Sequence, residues 1–191
     1  MKKTFTLPAF MALLMGCTSS VTIESHSLTQ IESRELAQYI GVYRARQEVP
    51  NSLEGFLLVR LRTTEDLIGM ARQNLLIFEP KVWYCEQLSK DFRLNVPGIS
   101  QSGKSLFEWS HPDNLDISYG SDLEYDVLLY ASLKEDALEM QLMPDTSHAE
   151  YDLSIDAGDI CLAIGGGTYG NRVRSNTIRI TEESIRKVLS E

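Results

Sequence analysis

Cysteine and histidine are scarce in this 191-residue chain, with three of each. Metal-centred chemistry therefore has little to work with. No two of His26, His111 and His148 have metal-ligand spacing. His148-Ala149-Glu150 copies a fragment of the zinc-deaminase pattern, but the paired cysteines that complete it are missing. Asp122, Glu124 and Asp126 alternate as on one face of a strand, yet the glycine and distal glutamate of a calcium loop are not at their set positions. Serine hydrolysis lacks its G-x-S-x-G elbow. Carboxylates suited to glycoside cleavage are plentiful, but nothing singles out two of them. No catalytic residue, cofactor or metal is expected, and the chain reads as a non-enzyme.

Long apolar runs are missing too. None reaches the roughly 20 residues of a membrane-spanning helix. The longest runs from Phe5 to Met15, behind Lys2 and Lys3, and the small Gly16 then precedes Cys17. A positive start, a short apolar stretch and a small residue make a bacterial secretory signal. An ordinary secreted protein with a chance cysteine is the alternative. Leu14-Met15-Gly16-Cys17 resembles the lipobox of bacterial lipoproteins. The resemblance implies cleavage before Cys17 and acyl groups, such as palmitate, on its thiol and new amine. Each buried methylene of such chains contributes about 0.8 kcal/mol to anchoring. Thr18 stands where inner-membrane members of the family carry aspartate, so the resemblance implies the outer membrane, facing the periplasm. The expected organisation is a signal over 1–16, a Ser/Thr-rich lipidated tether over 17–29, and one β-rich periplasmic domain over 30–191. The 175 residues left after cleavage suit one domain with a full core.

Cys85 and Cys161 are then an even pair in an oxidising compartment, which predicts one disulfide. Two buried free thiols are the alternative.

Basic residues are nearly absent from one stretch. Residues 111–160 hold thirteen acids and Lys134 alone, net −12, whereas 17–110 carry −1 and 161–191 carry +2. The whole chain carries −9. Such a stretch excludes nucleic acid and anionic lipid as ligands of that region. It suits a cationic protein partner, with Asp113, Asp116, Asp122, Glu124 and Asp126 as candidate contacts. A merely solvated surface is the plainer reading.

Apolar spacing predicts a helix over 31–43 and a strand over 55–62, then a helix after Thr63-Thr64 that Asn74 ends. Strands are predicted over 75–78 and 82–87 around Pro80, and over 92–96, 106–109 and 115–119. A hairpin follows from 125–133 and 137–143, then strands over 151–155, 160–164 and 173–181, and a terminal helix over 182–190. Many short strands with few helices predict a mainly β, α+β fold, an antiparallel sheet or sandwich with one or two peripheral helices. Trp83, Tyr84, Trp109, Tyr119, Tyr125 and Tyr130 are expected mostly in the core, the alternative being an aromatic contact surface.

Two glycine motifs stand out. Gly98 to Ser105 matches the phosphate-loop pattern G-x-x-x-x-G-K-[ST]. His111-Pro112 follows too soon for the required helix, and no strand ending in a magnesium-binding aspartate comes after. A polar loop between strands is expected instead. Gly165-Gly166-Gly167, with Thr168 to Asn171, reads as a long flexible turn, a binding loop being the alternative.

Val82-Trp83-Tyr84-Cys85 and Asp156-Ala157-Gly158-Asp159-Ile160-Cys161-Leu162 resemble the cysteine-bearing segments of type VI secretion immunity lipoproteins. The resemblance covers residues 75–165 and implies a non-catalytic protein that blocks a toxin in the periplasm. Tyr84-Cys85 also resembles the Y-x-C region of membrane-bound C-type lysozyme inhibitors, with 100–110 near their serine-glycine loop. Both resemblances imply inhibition by tight binding. The rival reading is a structural or assembly lipoprotein of an envelope complex.

Overall fold

The computed structural model describes residues 18–32, 35–40, 55–74, 76–86, 94, 96, 98–115, 122–133, 151–168 and 171–190. The strands are β1 (Thr18–Val21), β2 (Ile23–Ile31), β3 (Phe56–Thr63), β4 (Ile77–Tyr84), β5 (Ile99–Gln101), β6 (Lys104–Ser105), β7 (Glu124–Tyr130), β8 (Ser132–Leu133), β9 (Tyr151–Asp152), β10 (Ile160–Thr168), β11 (Asn171–Ser175) and β12 (Ile178–Ile180). The helices are α1 (Ala37–Ile40), α2 (Leu67–Asn74), α3 (Leu106–Ser110) and α4 (Glu182–Leu189). A mainly β, α+β fold is the result. No described helix is long and apolar enough to cross a membrane.

Sheet I runs β2-β3-β7-β5-β6 and is antiparallel. In sheet II, β10 lies between β4 on one side and β11 and β12 on the other, and β1 adds parallel to β11. Period-2 alternation sends Leu57, Val59 and Leu61 of β3, and Tyr125, Val127 and Leu129 of β7, inward. Ile160, Leu162 and Ile164 of β10 join them in one core cluster with Leu67, Ile68 and Ala71 of α2 and Ile185 of α4. Tyr125 ties sheet I to α2. Its hydroxyl accepts from the Leu67 amide at 2.9 Å, one of the amides a helix start leaves unpaired. Burial raises its pKa.

Cys85 and Cys161 form a disulfide, with Cα atoms 5.0 Å apart. It closes the β4–β10 pair at the end where Cys85 N–H also donates to the Asp159 carbonyl.

Several expectations need correction. The stretch read as a tether is strand: β1 starts at Thr18, and β2 pairs with β3 along its length. Its serines and threonines suggested a linker, but an edge strand tolerates polar side chains on its open face, and Ile23 and Ile31 anchor its ends. The helix predicted from 31 has its first described α-helical residue at Ala37, because Ile31 belongs to β2. Pro80 does not divide two strands. It lies within β4, a sheet edge where proline is accommodated. Residues 106–109 are helix rather than strand, and the triple glycine lies inside β10 rather than in a turn. The predicted segments 115–119 and 137–143 lie outside the described residues, apart from Leu115, as does most of 92–96.

The phosphate-loop match is a tight hairpin. Ser102 and Gly103, both at positive φ, turn the chain between β5 and β6. A Cβ on Gly103 would lie 2.7 Å from the Gln38 carbonyl oxygen. Gly103→Ala should therefore destabilise the fold by about 1–2 kcal/mol or more, read as a lower urea midpoint.

Helix α4 starts at an anion. Asp159 accepts from the Glu182 amide at 2.7 Å and pairs with Arg179. The amide first, then the guanidinium, holds its carboxyl below the ordinary value. A lowered native pKa means this stabilisation is full above the unfolded value and is lost as pH falls through the native one. Asp159→Asn should thus lower Tm at neutral pH, and the gap to wild type should close on acidification below the usual carboxylate range. A gap that persists undiminished well below that range would remove this assignment.

Candidate protein-binding surface

Ser105 ends β6 and starts α3 with a capping box. Its hydroxyl accepts from Glu108 N–H at 3.1 Å, while the Glu108 carboxylate accepts from Ser105 N–H at 2.7 Å. The helix buries Leu106 and Trp109 and turns Phe107 outward. Trp109 fixes the element from below, because its indole N–H donates to the Gln101 carbonyl at 3.1 Å. Lys104 Nζ sits 4.7 Å from its ring centroid.

A single arginine clamps the exit. From α2, Arg72 donates to the carbonyls of Trp109 and Asn114, both at 2.9 Å. Asn114 in turn donates from its side chain to the Glu108 carbonyl at 2.7 Å. The short 3-10 turn Pro112–Asn114 is thereby fixed against α3. On this support Phe107 is 63% exposed and Leu115 47% exposed, with the His111 ring 6.5 Å from that of Phe107. Asp113 projects beside them with its side chain 88% exposed, and its N–H donates to His111 Nδ1. A held, solvent-facing aromatic near an exposed aliphatic and a carboxylate has the chemistry that suits contact with another macromolecule.

The five candidate acids do not share one open face. Asp113 belongs to this surface. Asp122 is exposed at the start of the segment leading into β7, and its carbonyl accepts from the Gln101 side chain. Glu124 lies 3.8 Å from Arg62 across β3, and Arg62 is also 3.8 Å from Glu24. Asp126 is buried and accepts from Arg60 Nε at 2.9 Å. That hydrogen bond, then the charge, raises the Arg60 pKa. Asp126 is therefore an internal partner of Arg60 rather than a contact residue. Strand pairing sets Arg60 opposite Asp126 and Arg62 opposite Glu124. This pairs two of the four described candidate acids with arginines. Asp116 lies outside the described residues.

Trp109, Tyr125 and Tyr130 are core, as expected, and Trp83 and Tyr84 are half-buried. Burial, then Asp156, pushes the Tyr84 pKa up to about 12. Tyr119 lies outside the described residues. Among the described residues, no group of three His, Cys, Asp or Glu is placed to hold a metal. His26 is exposed on β2 and His148 is not described. Sequence reasoning passed over Phe107 and Arg72. The signal for Phe107 was present: Ser105-x-x-Glu108 before an apolar residue is a helix start, and it turns the predicted strand 106–109 into a helix whose odd member faces out.

The chain matches no protein-family model, no curated protein and no solved structure.

Proposed function

We propose that this chain is a lipoprotein anchored through Cys17 at the periplasmic face of the outer membrane, and that its domain binds and blocks a cationic toxin or lytic enzyme without catalysing a reaction. The anchor rests on the lipobox-like Leu14 to Cys17. The blocking role rests above all on one observation: Phe107 and Leu115 stand exposed beside Asp113 on a support fixed by Arg72 and a capping box. A rigid aromatic loses little entropy on docking. Asp113 and Asp122 supply the sign of charge that steers a basic surface. Occlusion of the partner's working site is the mechanism.

A deletion strain should lose survival beside toxin-armed kin. Wild-type chain should restore survival, and Phe107→Ala should not, since truncating a central aromatic contact costs about 2 kcal/mol or more of binding. Phe107 is mostly exposed, so the variant should keep the wild-type Tm. Equal survival of the deletion strain would remove the blocking role and favour assembly of an envelope complex. Added salt should weaken the interaction if Asp113 and Asp122 steer it.

A further inference from the structure

The outer face of sheet II carries a basic patch beside the proposed anchor. In β11, Arg172 and Arg174 are exposed, and neither has an ion pair among the described residues. By contrast, Arg60, Arg62, Arg179 and Arg186 each pair with a carboxylate. Across the sheet, Arg172 is in register with Gly167 and Arg174 with Gly165, and on β4 the same rows continue to Ile77 and Glu79. Lys81 lies one row further along this face, and its aliphatic end arches over Gly165. The two glycines leave the centre without side chains, so a groove of about 500 Å³ forms, walled by Lys81, Arg172 and Arg174. Glu79 is the one acid lining it, and Ile77 is 57% exposed at its end.

We propose that this face lies on the anionic phosphate layer of the membrane that holds the lipidated chain. The inference rests on lipidation of Cys17. Thr18, the next residue, is already in register with Arg172 as the first residue of β1. One peptide unit, about 3.8 Å between Cα atoms, separates it from Cys17, so no tether holds the domain away from the bilayer. The end of sheet II bearing Arg172, Gly167 and Ile77 is thus brought to the headgroups. There a free cation gains from anionic lipid, and an exposed isoleucine gains from the acyl boundary. Three cations against one acid make this face complementary to that surface, although the chain as a whole is strongly acidic.

The test uses the full chain, expressed in a host that exports and lipidates it, reconstituted in phosphatidylethanolamine vesicles with or without phosphatidylglycerol. Ile77→Trp supplies a probe at the patch, and brominated lipid supplies the quencher. With phosphatidylglycerol present, the added tryptophan should be quenched beyond the level of the protein without it. High salt, or Lys81→Glu with Arg172→Glu and Arg174→Glu, should abolish that increment while the protein still floats with the vesicles. Floating protein with no increment overturns the assignment of this face and leaves the anchor standing. Protein that carries no lipid and does not float overturns the anchor and this inference together. Inorganic phosphate that shifts the Arg172 and Arg174 side-chain resonances without any lipid quenching would assign the groove to a soluble anion and overturn the membrane contact.

Discussion

Replacing Cys85 and Cys161 together by alanine should cost this protein about 4.5 kcal/mol of stability, an upper value set by the chain entropy of so long a closed loop. The cysteines are 76 residues apart, and the loop between them includes β5, β6, α3, β7 and β9. Without the bond, the unfolded chain regains the freedom of that whole segment. The native side loses a clasp at the end of the β4–β10 pair, where the ladder stops at Tyr84 and Ile160. The urea midpoint of the double variant should fall well below that of oxidised wild type. Wild type treated with a thiol reductant should fall to the same midpoint. A double variant as stable as wild type would show that the native contacts alone hold β4 to β10.

Much of this fold could be read from alternation and caps. β3, α2 and α4 lie within a residue or two of where apolar spacing and Thr, Glu and Asn signals put them, and β7 starts one residue before its predicted start. The cysteine pair was legible from an even count of two beyond Cys17. What could not be read shares one cause: the deciding partner is distant in sequence. β1 and β2 look like a linker until the neighbouring strands at Arg172 to Ser175 and Phe56 to Thr63 accept them. Asp126 looks like surface charge until Arg60, 66 residues earlier, is set opposite it. The candidate contact surface was half legible. Asp113 was named from charge, whereas the Arg72 clamp that fixes its surroundings joins α2 to α3 and to the 3-10 turn after it, across 37 and 42 residues. No local pattern encodes such a contact.

The triple glycine is the sharpest instance, and it carries the second large effect. Gly166 faces the core side of β10, where an added Cβ would lie 2.8 Å from the Ile77 carbonyl oxygen and 3.0 Å from Phe78 Cδ1. Backbone cannot yield as a side chain does, so Gly166→Ala must push β4 away along the pair that the disulfide closes. Two opposing terms meet here. Alanine restricts the unfolded chain, a gain of about 0.4–1 kcal/mol, whereas overpacking costs about 1–3 kcal/mol, and the clash with backbone puts this site at the upper end. The net should be destabilising, and Gly166→Val should be worse than Gly166→Ala. Gly165 faces the other way, and its added Cβ would meet only the flexible end of Lys81 at 3.2 Å. There the entropy gain should match or exceed the steric cost, so Gly165→Ala should leave Tm unchanged or slightly raised. Thermal unfolding of the two alanine variants side by side decides the matter. A fall of the same size for both would mean that the glycines serve chain flexibility, as in a turn, and not the close approach of β4 to β10.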